Sequence, residues 1–145
     1  MKPGQAAINP NQALWEKGDF TEIAAFMRQS GEVVVDSLGI RPPLRVLDLG
    51  SGDGTTAVPL ARLGAEVVGI DIARNLVDAG NRRAAEAGLR RLTFQEGDAS
   101  NLAGVDDSSF DLVLSGACDL ISLKDTVAGT HARRLFNQAL GTATR

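Results

Sequence analysis

Short apolar runs alternate with segments of helical spacing over the middle of the chain. The spacing of apolar positions predicts helices after the glycine loop, beginning at Thr55 or Thr56, and over Arg74–Ala87, ending at Gly88. Strands that alternate with helices indicate an α/β fold with a parallel sheet and right-handed crossovers. The predicted buried strands are Arg45–Leu49, Glu66–Asp71, Leu92–Gln95 and Phe110–Ser115.

Two helices are predicted before the first strand. We expect residues 1–12 to form a flexible arm, because proline, asparagine and glycine dominate them. Residues 13–39 carry apolar side chains at helical spacing after Asp19, which with Glu22 forms a capping-box pattern. Ser30-Gly31 divides this segment into two helices that cover one side of the sheet. An alternative is that the region of Trp15 also covers a ligand site.

Composition narrows the classes of function. The chain has 145 residues, which suits one domain, and a net charge of −3 with 4% aromatic residues argues against nucleic-acid binding. A single cysteine, Cys118, excludes an intrachain disulfide framework, and a single histidine, His131, excludes a two-histidine metal site. No apolar run approaches the ~20 residues that span a bilayer, and the N-terminus lacks the apolar stretch of a signal peptide. We therefore expect a cytoplasmic protein without membrane partners.

The residues most suited to ligand binding lie where the predicted strands end. Gly50-Ser51-Gly52-Asp53-Gly54 follows the first strand and precedes a helix, which is the arrangement of a ligand loop at the carboxyl edge of a sheet. Acids lie at or beside three strand ends, namely Asp48, Asp71 and Asp98. An acid after the second strand is placed to accept hydrogen bonds from a ribose diol.

The loop spacing argues against a dinucleotide. The third glycine of the G-x-G-x-x-G pattern is replaced by Thr55, and Asp48 would repel a pyrophosphate but suit a cationic ligand. No G-x-x-x-x-G-K-[ST] motif is present, which disfavours a nucleotide triphosphate. We expect Gly54 to serve helix–strand packing more than ligand contact.

The segments VLDLGSGDGTTAVPLARLGAEVVGIDIARNLVDAGNRRAAEAGL, FQEGDASNL and FDLVLS resemble the first half of a class I S-adenosylmethionine-dependent methyltransferase. The likeness is greatest to small-molecule enzymes related to ubiquinone and menaquinone methyltransferases. It is dense from Val46 to Ser115 and weaker over Trp15–Leu38. It implies a Rossmann-like three-layer sandwich, S-adenosyl-L-methionine as cofactor and S-adenosyl-L-homocysteine as product.

The resemblance assigns a role to each candidate site residue. Asp48 would act on the ammonium group of the methionine part, directly or through water, and Asp71 would bind both ribose hydroxyls. Ile72 would pack on the adenine, and Asp98 would accept a hydrogen bond from the adenine amino group. The remaining contacts would come from the Ala99 N–H to a ring nitrogen, from Ser115 beside the methionine carbons, and from the backbone of Gly50, Ser51 and Gly52. No catalytic residue is implied, since an activated methyl needs mainly alignment of its acceptor.

The pattern ends at Ser115. Residues 116–145 lack the strand-like runs that the family would continue with, so we expect strands 1–4 of the fold to be present, strands 5–7 to be missing and an atypical tail, as a frameshift or early stop would give. A helix over residues 131–140 and a surface position for His131 are expected there. Unless the tail covers it, the fourth strand would then be an exposed apolar edge that favours a homodimer or aggregation.

The leading function is methyl transfer to a small-molecule acceptor. The alternative is a non-catalytic cofactor-binding or interaction module made from a truncated domain. An NAD-linked redox function is disfavoured by Thr55 and Asp48. The pairs Arg82-Arg83 and Arg90-Arg91 are expected to form a solvated basic face, because the chain is acidic overall.

Overall fold

A four-stranded parallel sheet with the strand order β3-β2-β1-β4 forms the centre of the fold. The computed structural model describes residues 9–99, 102, 105–106 and 109–115. The strands are β1 (Arg45–Leu49), β2 (Glu66–Asp71), β3 (Leu92–Glu96) and β4 (Leu112–Ser115), and the helices are α1 (Pro10–Glu16), α2 (Phe20–Ser37), α3 (Ala57–Arg62) and α4 (Arg74–Glu86). The α/β class and the parallel sheet are confirmed, and β4 lies beside β1 as the family resemblance implies.

The strand bounds follow the apolar runs closely, with one difference at β4. We expected this strand to begin at Phe110, but it begins at Leu112. The Asp111 carboxylate accepts a hydrogen bond from the Arg45 backbone N–H at 2.8 Å, and the Asp111 N–H donates to the Arg45 carbonyl at 2.8 Å. The side chain of Asp111 thus satisfies a backbone donor of β1 that a longer strand would have paired.

The N-terminal segment differs most from the expectation. Residues Phe20–Ser37 form one helix, so the predicted division at Ser30-Gly31 is wrong. Gly31 is buried, and a Cβ there would lie 2.7 Å from Thr55 Cγ2 and would also collide with the Thr55 carbonyl oxygen. The glycine serves close packing of α2 on the loop before α3, and this gain outweighs its low helix propensity.

The helices also differ from the prediction in further details. Helix α1 begins at Pro10, inside the expected arm, and Asn9 caps it by accepting a hydrogen bond from the Asn11 N–H at 3.0 Å. Ile23 and Met27 belong to the apolar series after Asp19 that we expected to cover the sheet, but they are about half exposed. The N-cap of α3 is Thr56, one of the two residues predicted for the start of this helix, although the Thr56 side chain makes no cap hydrogen bond.

Apolar side chains pack on both faces of the sheet because successive residues of a strand point to opposite sides. Val46 and Val67 face the layer that includes Val35 of α2 and Leu60 of α3. The other face carries Leu47, Leu49 and Ile70, which pack with Leu102 and with the half-buried Val105 and Phe110. Among the helices that the structure describes, none is long and apolar enough to cross a membrane.

Candidate functional site

The carboxyl ends of the four strands meet at one edge of the sheet. Leu49 at the end of β1 lies opposite Ile70 of β2 and Ser115 of β4, and Asp71 of β2 lies opposite Glu96 of β3. The chain segments that follow these strands therefore surround one region. The candidate residues predicted from the sequence are brought together there.

The glycine loop closes over the ends of β1 and β2. The N–H groups of Gly50 and Ser51 donate to the Ile70 carbonyl at 2.8 and 3.1 Å. Gly50 and Gly52 adopt φ values of +65° and +55°, and a Cβ on either would meet nothing within 4 Å. Their backbone is therefore open to close approach by a ligand, in a conformation that glycine adopts without strain.

Gly54 is closely surrounded by side chains, unlike Gly50 and Gly52. A Cβ at this position would lie 2.8 Å from Phe94 Cζ and 2.9 Å from Val58 Cγ2. Its lack of a side chain lets the loop pack on β3 and α3. The expectation that Gly54 serves packing is therefore confirmed.

Asp71 ties the glycine loop to the start of α4. One carboxylate oxygen accepts a hydrogen bond from the Gly52 N–H at 2.8 Å, and the other accepts from the Ala73 N–H at 2.9 Å. The side chain is buried to the same degree as the core. Each carboxylate oxygen has a second lone pair, so Asp71 can hold the loop and still accept hydrogen bonds from a ligand.

Asp48 lies behind the loop with no accessible surface. Its Oδ2 accepts a hydrogen bond from the Thr56 hydroxyl at 2.6 Å, while its Oδ1 has no partner among the described residues. Burial raises the pKa of Asp48 from 3.8 to about 7, and the nearby Asp71 charge acts in the same direction. The Asp48 carboxylate is therefore enclosed by the protein, and its expected contact with the ammonium group of the cofactor, directly or through water, stays a prediction.

The raised pKa of Asp48 predicts a pH-dependent stability. The folded protein binds this proton more tightly than the unfolded chain does, so stability falls as pH rises from about 4 to about 7. Asp48→Asn removes the titration. We compare the free energies of unfolding of the variant and the parent. As pH rises through that window, the variant should gain up to a few kcal/mol of stability over the parent. Urea unfolding of both proteins between about pH 4.5 and about pH 8 measures this change.

The matched control for this prediction is Asp36→Asn, which neutralises an exposed carboxylate on α2. It should follow the parent protein across the same pH range. A difference between Asp48→Asn and the parent that does not change with pH would contradict the buried titration.

The remaining candidates lie at the rim of the site. Asp98 follows β3, is half-buried, and accepts a hydrogen bond from the Asn9 side-chain amide at 2.9 Å. Ile72, Ala99 and Ser115 are also half-buried, at the ends of β2, β3 and β4. Each therefore presents some surface to the region around the glycine loop.

Sequence reasoning missed the contacts of α1 with this edge of the sheet. Gln12 donates from Nε2 to Glu96 Oε1 at 2.9 Å, and the Arg74 N–H donates to Glu16 Oε1 at 3.1 Å. Asn9 before Pro10 is a helix-start signal that could have located α1. The groups that Asn9 and α1 contact are 58 to 89 residues away in sequence, and no local pattern reveals them.

Asp53 inside the glycine loop is a second feature that the sequence did not reveal. Its buried carboxylate pairs with Arg28 of α2 at 3.3 Å and with Arg83 of α4 at 3.1 Å. Arg83 also donates to the Asp53 carbonyl at 2.7 Å, so the expectation of a solvated Arg83 is wrong. This pair of arginines fixes the loop from the side of the helices.

A model of the methyltransferase domain family matches residues 46–138. The chain belongs to the methyltransferase domain family. The match continues past Ser115, so the resemblance does not end where we expected, although the tail and its predicted 131–140 helix lie outside the described residues. The expected kinship with ubiquinone and menaquinone methyltransferases stays a prediction.

Relatives support the family assignment over most of the chain. An uncharacterized protein of Mycobacterium tuberculosis (strain H37Rv) is 38% identical over 112 residues, which cover 77% of this chain and 40% of the relative. The 23S rRNA (uracil(1939)-C(5))-methyltransferase RlmD of Alkalilimnicola ehrlichii is 36% identical over 88% of this chain and 30% of its own length. The methyltransferase domain described here thus spans well under half of the curated relatives it matches.

The fold has counterparts among solved structures. A SAM-dependent methyltransferase from Aquifex aeolicus superposes with a TM-score of 0.56 at 21% sequence identity, covering 68% of this chain and 57% of that one. At this identity the likeness concerns the fold alone. It confirms the Rossmann-like arrangement of the methyltransferase domain.

Family membership implies S-adenosylmethionine as the cofactor, and the residues present fit it. The space above Gly50 and Gly52 allows a ligand to meet the loop backbone. Asp71 supplies a carboxylate at the end of β2, and the half-buried Ile72 follows it. The unpartnered Oδ1 of Asp48 leaves an acceptor just beneath the loop. The arrangement suits a ligand with hydroxyl and amino donors.

Proposed function

We propose that this chain forms the cofactor-binding part of an S-adenosylmethionine-dependent methyltransferase that acts on a small-molecule acceptor. The observation that carries the proposal is the open backbone of Gly50 and Gly52, joined through the Gly52 N–H to the Asp71 carboxylate at 2.8 Å. A nucleoside lying there would have the glycine backbone of the loop on one side and a carboxylate for its hydroxyl groups on the other.

The bound cofactor would supply a methyl group already activated on a sulfonium. The protein's part is then to bind and orient. Asp71 would accept hydrogen bonds from the ribose hydroxyls, and Ile72 would pack against the adenine. Asp98 and the Ala99 N–H would bind the polar edge of that ring, while Ser115 at the end of β4 would border the methionine carbons. Fixing the methyl group in line with an acceptor accounts for much of the rate gain in such a transfer, without a general base.

The class of acceptor is the finer part of the proposal. The relation to a 23S rRNA methyltransferase favours RNA as a second candidate. Surfaces that bind RNA carry excess positive charge and aromatic platforms, because they must neutralise phosphates and stack bases. The net charge of −3 and the 4% of aromatic residues in this chain favour a small molecule instead.

A transfer assay with methyl-labelled S-adenosylmethionine tests the proposal. The full chain is incubated with a panel of small acceptors and, separately, with ribosomal RNA, and the label is followed into product. We expect label in at least one small acceptor and none in RNA, and much less label with Asp71→Ala at a limiting concentration of the cofactor. Label in RNA alone would establish the second candidate. Firm binding of S-adenosylhomocysteine without any transfer would instead favour the non-catalytic module.

A homodimer through β4 is a further part of the proposal. β4 pairs with β1 on one side, and the described residues include no strand on its other side. An unpaired apolar strand edge favours pairing with another chain. We therefore expect sedimentation velocity to give a dimer and hydrogen exchange to show protected amides over Leu112–Ser115 only at dimer-forming concentrations. A monomer with the same protection at every concentration would contradict this.

A further inference from the structure

Helix α1 lies across the β2 and β3 edge of the candidate site and is held there by polar contacts. Three of its side chains reach residues far along the chain. Asn9 Nδ2 donates to Asp98 Oδ2 at 2.9 Å, Gln12 Nε2 donates to Glu96 Oε1 at 2.9 Å, and Glu16 Oε1 accepts from the Arg74 N–H at 3.1 Å. The helix therefore covers the rim of the site by contacting the residues that follow β2 and β3.

These contacts are of a kind that opens easily. The Gln12 and Glu16 bonds are exposed to solvent, where a hydrogen bond contributes little to stability. The large apolar side chains of α1 do not enter the core, since Leu14 is 60% and Trp15 46% exposed. Trp15 packs on Phe20, with ring centroids 5.0 Å apart. A helix of 7 residues without core contacts is marginal by itself, so α1 belongs to the least stable part of the fold.

The Asn9 side chain has two functions in this arrangement. Its oxygen caps α1 by accepting from the Asn11 N–H at 3.0 Å, while its NH₂ group donates to Asp98. An amide NH₂ and the amino group of an adenine are the same kind of donor, planar and neutral with two hydrogens. Asn9 thus makes the bond to Asp98 that an adenine amino group would make.

We propose that α1 is an autoinhibitory cover, in which Asn9 occupies Asp98 in place of the amino group of an adenine nucleoside. This inference rests on the proposed function, because the nucleoside is the proposed ligand. Docking of α1 and binding of the nucleoside then compete for the same position beside Asp98 Oδ2. The apparent affinity of the protein for the nucleoside is then the affinity of the uncovered form multiplied by the fraction of molecules in which α1 is undocked. In the covered state the Arg74 N–H at the start of α4 donates to Glu16. When α1 leaves, this N–H is exposed to water.

The test uses S-adenosylhomocysteine and the full chain. Asn9→Asp keeps a good helix cap but places a carboxylate against Asp98, so the cover should open. Asn11→Asp makes the same change of charge two residues on, where the side chain is exposed. By calorimetry we expect Asn9→Asp to bind S-adenosylhomocysteine about fivefold more tightly than the parent, and Asn11→Asp to bind like the parent.

Trp15 provides a second readout, because it is the single tryptophan of the chain and lies on α1. Its emission should move to longer wavelength when S-adenosylhomocysteine binds the parent protein. In Asn9→Asp the emission should already be at longer wavelength without ligand. This readout reports the position of α1 independently of any methyl transfer.

The possible outcomes separate the cover from the proposed function. Equal or weaker binding by Asn9→Asp, with Trp15 emission unaffected by saturating ligand, would overturn the cover and leave the function standing. Absence of S-adenosylhomocysteine binding to the parent and both variants would overturn the proposed function and, with it, the ligand that we assign to Asp98. Tighter binding by Asn9→Asp alone supports both.

Discussion

Replacing Asp71 with alanine should weaken the binding of S-adenosylhomocysteine about a hundredfold. The Asp71 carboxylate holds the Gly52 and Ala73 N–H groups at 2.8 and 2.9 Å and is the proposed acceptor for the ribose hydroxyls. Hydrogen bonds to a charged group contribute about 1.5–3 kcal/mol each, so the loss of two of them accounts for a change of a hundredfold or more. Isothermal titration of the folded variant measures the effect.

A matched pair of variants separates ligand contact from folding. Asp71→Asn keeps the size of the side chain and one acceptor, so we expect a loss of roughly tenfold, about 1.4 kcal/mol. Asp78→Ala removes an exposed carboxylate from α4 and should bind like the parent. A folded Asp71→Ala protein that binds S-adenosylhomocysteine with parental affinity would show that the ligand does not use the end of β2.

Replacing Phe94 with alanine should lower the free energy of unfolding by about 3–5 kcal/mol. The ring is almost fully buried, and it lies against three glycines, since a Cβ on Gly54, Gly69 or Gly80 would come within 2.8 Å of a ring atom. Removing the ring leaves a cavity between β2, β3, α4 and the glycine loop. Urea unfolding, with the slope of the transition unchanged, measures the loss.

The complementary variant is Gly80→Ala. Helix propensity alone predicts that alanine stabilises α4 by about 1 kcal/mol. Because the new Cβ would lie 2.8 Å from the Phe94 ring, we expect the opposite sign, a loss of about 1–3 kcal/mol. Combining Gly80→Ala with Phe94→Leu should recover part of that loss. A Gly80→Ala protein more stable than the parent would contradict the packing of the ring on the helix.

The sheet could be predicted well because its signals are local. Apolar runs bounded by proline and glycine gave the bounds of β1 and β2, and the alternation with helices gave the parallel arrangement. The positions of Asp71 and Asp98 at strand ends followed from the same pattern. In a parallel sheet those ends share one edge, so the site could be located before its side-chain geometry was available.

Two of the errors concern contacts between distant parts of the chain. Glycine is typical of a helix break, but Gly31 lies inside α2 because the Thr55 backbone packs closely against it. Arg83 lies in a run that appears solvated, yet its partner is Asp53, which is 30 residues away. Local propensity carries no information on such pairs, and tertiary packing overrides it.

Asp48 shows where the available signal was not followed far enough. It lies within a run predicted to be a buried parallel strand, in which both faces are covered. Burial of its carboxylate, with Val46 on the same face two residues earlier, follows directly from that prediction. The ligand contact that the resemblance to the methyltransferases implies for Asp48 stays a prediction, while the strand pattern accounts for the buried position of its side chain.

The central claim is that an adenine nucleoside binds at the shared strand edge. The most direct measurement is an amide NMR titration of the full chain with S-adenosylhomocysteine. We predict saturable shift changes at Gly50–Gly54, at Ile72 and at Asp98–Ala99, with little change over the α3–α4 face around Arg62 and Glu86. Unchanged spectra at millimolar ligand, or changes confined to the α3–α4 face, would contradict the claim.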